Sequence, residues 1–355
     1  MTTTKKMKQV SILNLIRENI KNIQPYSSAR DEFTEATSEL VFLDANENPF
    51  DNGVNRYPDP QQQAVKERLS DIKKVAVENI LLGNGSDEVL DLLFRVFCEP
   101  KKDNIIILPP TYGMYKVLAS VNAVDVIEIQ LTSNFQPKTE TILSAANSKS
   151  KLLFLCSPNN PTGNSFSSIE VEKLLKQFKG VVVIDEAYID FSEQTSWLNR
   201  LEEFPNLVIT QTLSKAYGMA GIRLGVCYAS KEIISVLNSI KPPYNVNELT
   251  QRRALIRLHK IDEVQNEIQQ IKNQKEVLIR ALKQVDFILN VYPSDANFVL
   301  VKVDNATKRY QQLIEHGIVI RNRTNQPLCK NCLRISVGTM EENKQLIKVL
   351  KLINK

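Results

Sequence analysis

Lys215 stands in the stretch TLSKAYGMAGIRLG, from Thr212 to Gly225, among small residues just after the apolar run LVIT. A second cation, Arg223, follows eight residues on. A solvated lysine normally has charged neighbours; one set among Ser, Ala and Gly is suited to bring its amine against an electrophile. Three more stretches put reactive groups at the ends of apolar runs. Asp185 follows VVVI directly, with Tyr188 three residues beyond it in DEAY. Asn160 lies in NNPTG after LLFLCSP, where Gly163 permits positive φ. LLGNGSDE places Gly85, Ser86 and Asp87 ahead of an apolar-periodic helix, with Ser86 and Asp87 expected at its N-cap.

Each piece alone has an ordinary explanation. Gly-x-Gly-Ser before a helix is commonly plain capping, an aspartate after a strand is commonly a turn residue, and a single lysine is usually a solvated charge. Together they supply an amine for an aldehyde, an anion for a ring nitrogen, a cradle for a phosphate and a second phosphate cation. Pyridoxal 5′-phosphate is the cofactor that needs all four.

The elements around these groups alternate. Helical stretches such as PQQQAVKERLSDI and SDEVLDLLFRVFC give way to short β-branched runs: NIIILPP, KLLFLCSP, GVVVIDEAY, LVITQTLS and RLGVCYA. Runs that are apolar throughout predict strands buried on both faces, hence an α/β fold with a mainly parallel sheet wrapped by helices. Ligands of such sheets sit at the strands' carboxyl ends, where the reactive groups cluster. A short helix is expected over VSILNLIREN and a single exposed helix from Lys260 to Val285. The strands NFVLVKV and LRISVG and a last helix then predict a smaller α+β unit. NFVL, Asn297 to Leu300, is expected to lead that unit toward the site in a packing role, and the prolines of KPPYNV to stiffen the junction. The division expected is 46–244 for the large cofactor-binding unit, with 1–45 and 245–355 packing together as the small one.

Composition narrows the function. The 355 residues carry a net charge of +5, with 43% hydrophobic and 24% charged residues. The cations are scattered through predicted helices, so neither a nucleic-acid nor a membrane surface is expected. Apolar runs such as NIIIL are too short to span a bilayer, and no apolar signal core follows the basic MTTTKKMKQV. Cys98, Cys156, Cys227, Cys329 and Cys332 are odd in number and mostly in apolar stretches, which suits reduced thiols in a cytoplasm. The lone C-x-x-C of Cys329 and Cys332 lacks the second ligand pair of a zinc site. His259 and His316 are expected at helix ends or the surface, so no metal is expected.

SPNNPTG, VVVIDEAY and TLSKAYGMAGIRLG, in this order and spacing, resemble the fold type I aminotransferases. LDANENP, RYPDP, GNGSDE, PTYGMY and LRISVGT narrow the resemblance to the histidinol-phosphate aminotransferases, from about Pro25 to the last helix. The resemblance implies that Lys215 holds pyridoxal phosphate as a Schiff base and then moves the substrate's proton. It implies that Asp185 pairs with the pyridine nitrogen, that Asn160 and Tyr188 donate to the ring's 3′-oxygen, and that Tyr112 stacks on the ring. Gly85, Ser86 and Asp87 through backbone N–H groups, Ser214 through its hydroxyl and Arg223 through its fork would hold the phosphate. Tyr57 would reach the phosphate of a neighbouring subunit, making a homodimer.

On the same resemblance, Arg334 takes the substrate carboxylate or phosphate, with Tyr26 and Arg321 helping at the phosphate; Arg323 competes with Arg321 for that part. The implied substrates are histidinol phosphate with 2-oxoglutarate, giving imidazole-acetol phosphate and glutamate by a ping-pong route toward L-histidine. Rival readings are a threonine-phosphate decarboxylase-like lyase and a broader aromatic aminotransferase on the same fold. A cofactor-binding transcriptional regulator would need a helix-turn-helix ahead of LDANENP, where only about forty residues stand.

Overall fold

The computed structural model describes residues 11–26 and 41–354. Seven strands form the large sheet: β1 Ile80–Asn84, β2 Asn104–Ile107, β3 Asp125–Glu128, β4 Ser150–Cys156, β5 Val181–Asp185, β6 Leu207–Thr212 and β7 Leu224–Ala229. Their order across the sheet is β1-β7-β6-β5-β4-β2-β3. β5, β6 and β7 are buried along their whole length, as continuous β-branched runs require. Alternate residues feed two cores. Val182, Ile184, Leu207 and Ile209 face one layer of helices, while Val181, Val183, Val208 and Cys227 face the other.

The sheet is parallel from β3 to β6, but β7 runs antiparallel to both β6 and β1. A parallel return needs a crossover of a dozen or more residues, usually a helix. The connection 213–223 holds only a 3₁₀ turn, Ala220–Ile222, so the chain reverses instead. That reversal brings the end of β6, the start of β7 and the end of β1 to one edge, with Thr212 opposite Gly225 and Asn84 opposite Leu224.

The second sheet joins β8 Ile288–Val291, β9 Phe298–Val303, β10 Arg321–Asn322 and β11 Cys332–Ser336 in the order β10-β11-β9-β8. Val299, Val301 and Val303 pack under the helices Ile261–Leu282 and Met340–Leu352, whereas Phe298 and Leu300 belong to the large core. β9 therefore ties the two sheets together. The helix Ile261–Leu282 is not exposed all round, since it buries Val264, Ile268, Leu278 and Leu282.

Residues 11–26 depart from expectation twice. A 3₁₀ turn, Ile12–Asn14, and a short helix, Glu18–Lys21, stand where one helix was expected. The Arg17 amide donates to the Val96 carbonyl and its guanidinium to Arg95 O and Glu99, so tertiary bonds replace the helical ones. Ile12 and Ile16 pack with Leu90, Leu93 and Leu237 in the core on the other face of the large sheet, with Val181 and Val183, rather than with the C-terminal strands. Residues 1–10 and 27–40 of the expected N-terminal unit lie outside the described residues. His259 and His316 both sit at helix C-caps, and the five cysteines are buried free thiols.

Candidate active site

The carboxyl ends of β4, β5 and β6 are side by side, with Cys156 opposite Asp185 and Asp185 opposite Thr210. The loops that leave these ends surround a cavity of about 310 Å³. Its floor holds Asp185, Thr212, Ser214 and Lys215; Ser86, Asp87 and Arg223 line one end; Tyr112, Asn160 and Tyr188 line the sides; and Arg321, Arg323 and Arg334 come in from the second sheet. Of the predicted site residues, Gly85, Tyr26 and Tyr57 do not line it, Gly85 lying next to the lining residue Ser86. Tyr26 is 74% exposed, and Tyr57 is stacked on Tyr244 at 4.5 Å beside a separate surface cavity with Glu47, Asn247 and Glu248.

Burial sets the charge states. Lys215 has its pKa lowered by burial first, then by Arg334 and Arg223, which favours the neutral amine. Asp185 is 4% exposed and its pKa is raised by burial, with the Tyr115 hydroxyl pulling the other way. Tyr115 donates to Asp185 Oδ2 at 2.7 Å, and the Ala187 amide donates to Oδ1 at 3.2 Å. The sequence reading missed Tyr115, whose ring packs flat against Phe154 and resembles core. Tyr115 lies in the first turn of the helix Met114–Val121, and its ring meets that of Tyr112, in the loop before the helix, edge-on at 5.5 Å.

At the phosphate end the N-cap is Gly85, not Ser86 or Asp87, and no side chain caps the helix Ser86–Phe97. Gly85 has φ 82°, and a Cβ there would lie 2.7 Å from Arg223 Nη2. Only glycine allows both that backbone and that approach. The helix start, whose first N–H groups have no intrahelical partner, thus stands at the cavity with Ser86 and Asp87. Arg223 holds a left-handed φ of 55°, its guanidinium 4.0 Å from Asp87 and donating to the Ala220 carbonyl at 3.3 Å. Asp87 also accepts from the Tyr112 hydroxyl at 3.0 Å, which fixes that ring.

On the far wall Arg334 lies over the Phe298 ring at 5.0 Å and donates to Asn160 Oδ1, leaving the Asn160 amide nitrogen directed elsewhere. Arg321 is the cross-strand partner of Arg334, and the neighbouring Arg323 lines the same cavity. Both arginines between which the sequence left a choice thus line the cavity. The arrangement offers an amine of lowered basicity, a buried carboxylate and anion sites at both ends of one cavity.

The chain matches the family model described as aminotransferase class I and II over residues 29–350. It is 65% identical to the histidinol-phosphate aminotransferase of Flavobacterium johnsoniae over 98% of this chain and 100% of that protein. It is 59% identical to the enzyme of the same name from Christiangramia forsetii, over 97% of this chain and 99% of that one. Among solved structures, the histidinol-phosphate aminotransferase of Clostridium acetobutylicum superposes with a TM-score of 0.78 at 26% identity, covering 85% of this chain and 91% of that one. The cavity at the strand ends and the near-complete sequence match lead to one placement: the chain belongs to the class I and II aminotransferases, in the histidinol-phosphate aminotransferase branch.

Proposed function

We propose that the protein is a pyridoxal-phosphate-dependent transaminase that interconverts histidinol phosphate plus 2-oxoglutarate and imidazole-acetol phosphate plus glutamate, in L-histidine biosynthesis. The observation that carries this reading is the convergence of Lys215, Asp185 and Arg334 on one cavity. The residues fit the cofactor. Among the described residues no cation pairs with the buried Asp185 carboxylate, whose shift comes from burial, hydrogen bonds and a like charge. A protonated ring nitrogen would complete that site.

Pyridoxal phosphate supplies, when bound, an aldehyde that accepts the amino group and a ring that absorbs the electrons left as the Cα proton departs. Lys215 would hold the aldehyde carbon and afterwards carry the proton on Nζ, a task its lowered pKa favours. Asp185 would keep the ring nitrogen protonated, Asn160 and Tyr188 would donate to the 3′-oxygen, and Tyr112 would cover the ring face. The N–H groups of Gly85, Ser86 and Asp87, the Ser214 hydroxyl and Arg223 would hold the phosphate. Arg334 would take the substrate carboxylate or phosphate, with Arg321 at the phosphate; Tyr26, exposed and away from this subunit's cavity, is given no part in it.

The active unit in this reading is a homodimer in the cytoplasm, with Tyr57 completing the partner's site. Support comes from exposed apolar side chains on residues 41–57, where Val41, Leu43 and Phe50 are each about four-fifths exposed. The reading also divides the chain into a large unit, 46–244, and a small one completed by 245–355. Purified holoenzyme offered glutamate, histidinol phosphate and phosphothreonine separately tests the function. Conversion of the cofactor to its amine form by histidinol phosphate is expected; carbon dioxide release from phosphothreonine without transfer would mean a lyase.

A further inference from the structure

β10 and β11 pair antiparallel with Arg321 opposite Arg334, and the Arg323 amide donates to the Cys332 carbonyl at 2.9 Å, which carries the pairing past the end of β10. Side chains two apart share a face of an extended segment, so Arg323 falls on the side of Arg321, and all three arginines reach the same cavity. Arg323 also lines the adjoining cavity of about 340 Å³ with Asn160 and Gln326. Its Nε is buried without a hydrogen-bond partner among the described residues, as is the Nε of Arg334.

The charges nearby do not explain this. The groups that favour the Arg323 cation are the Cys329 thiol and the Tyr188 hydroxyl, both neutral near neutral pH, while burial, Arg334 and Arg321 lower its pKa to about 10. The cavity's acids are committed elsewhere, Asp87 to Tyr112 and Arg223, Asp185 to Tyr115. Like cations with idle donors on one wall repel each other until an anion of matching charge arrives. A single carboxylate needs one fork; a phosphate monoester, with near −2 charge and three acceptor oxygens, can use three.

We infer that Arg323 is a specificity-determining residue that joins Arg321 and Arg334 in a three-guanidinium pocket for a phosphate monoester dianion. This deepens the proposed function, on which the identity of the phosphorylated amine rests.

The test uses holoenzyme, so that the cofactor's own phosphate fills the cradle at Gly85. Inorganic phosphate is titrated calorimetrically into wild type, Arg323→Gln and Arg323→Lys. Arg323→Gln is expected to weaken phosphate binding about tenfold or more, and Arg323→Lys, which keeps the charge and loses the fork, by about threefold. In turnover, Arg323→Gln is expected to lower kcat/KM for histidinol phosphate about tenfold, through KM, and to leave unphosphorylated histidinol within about twofold. Phosphate affinity unchanged in both variants, no phosphate binding by wild type, or equal losses on the two amines would overturn the inference. Should Arg323→Gln not fold, the Lys variant decides: affinity equal to wild type removes the role. Arg323-dependent phosphate binding with no turnover of histidinol phosphate would sink the proposed substrate and leave the pocket standing.

Discussion

Asp185 and Lys215 act as a pair of groups whose protonation is set by burial rather than by their own chemistry. The Tyr115 hydroxyl, a neutral donor, donates a hydrogen bond to Asp185 Oδ2 at 2.7 Å. A hydrogen bond to a charged group contributes about 1.5–3 kcal/mol, so Tyr115→Phe should lower kcat by about one to two decades while cofactor binding survives. Steady-state kinetics beside cofactor titration separates the two effects, and unchanged kcat would remove Tyr115 from the site. Lys215 responds in the opposite sense to a neighbouring cation. Arg334 is second only to burial in lowering its pKa, so Arg334→Gln should raise it. Labelling of the Lys215 amine in the apoprotein with an amine-reactive probe, followed against pH, should then have its midpoint at higher pH than in wild type. Asp185 was legible from sequence because it directly follows an apolar run, and Lys215 because it stands among small residues shortly after one. Tyr115 was not, since a buried tyrosine on an amphipathic helix has the same pattern whether it packs or donates.

The β6–β7 reversal brings the cofactor loop against the phosphate cradle. Its decisive contact is between backbones: a Cβ at Gly225 would lie 2.2 Å from the Ser86 amide nitrogen and 2.4 Å from the Gly85 carbonyl carbon. Neither neighbour is the end of a flexible side chain, so an added methyl must push β7 away from the start of the helix Ser86–Phe97. Gly225→Ala should therefore weaken pyridoxal phosphate binding, by about tenfold or more, with overpacking destabilising the fold by about 1–3 kcal/mol. Cofactor titration by absorbance and thermal melting measure both, and wild-type values for the two would show that β7 yields freely. The element types were readable in advance, because continuous apolar runs leave little choice but buried strands. The sense of β7 and the closeness of Gly225 to Ser86 were not, since they depend on the sheet order, which composition and periodicity do not encode. The broken N-terminal helix was missed for a similar reason: the Arg17 partners lie in a distant part of the chain.

At the scale of the whole molecule, charge is buried away from the site as well. Lys66 is 4% exposed, and its pKa is lowered to about 8 by burial and then by Lys241, against the pull of Asp59. Below pH 8 both folded and unfolded chains carry this proton, and the folded one bears the full cost of the buried charge. Between pH 8 and 10.5 the unfolded chain binds more protons, so stability rises with pH, and above that the cost is gone. The difference corresponds to about 3 kcal/mol, so Lys66→Met should be the more stable protein at pH 7, with the gap to wild type closing as pH rises to 10. Chemical denaturation across that range checks the sign.

Assembly raises a separate question, because Tyr57 stacks on Tyr244 at the surface and faces none of this subunit's own cavity. In the proposed homodimer it serves the partner. Tyr57→Ala and Lys215→Ala variants should each be nearly inactive alone, but co-refolding them in equal amounts should recover about a quarter of wild-type activity. Half the dimers are then hybrids, and each hybrid has one site with both residues intact. A tyrosine acting within its own subunit would leave every site in the mixture defective, because no chain carries both residues. Restoration after mixing is therefore the expected result, and its absence from a mixture shown by mass spectrometry to contain hybrids would confine Tyr57 to its own chain.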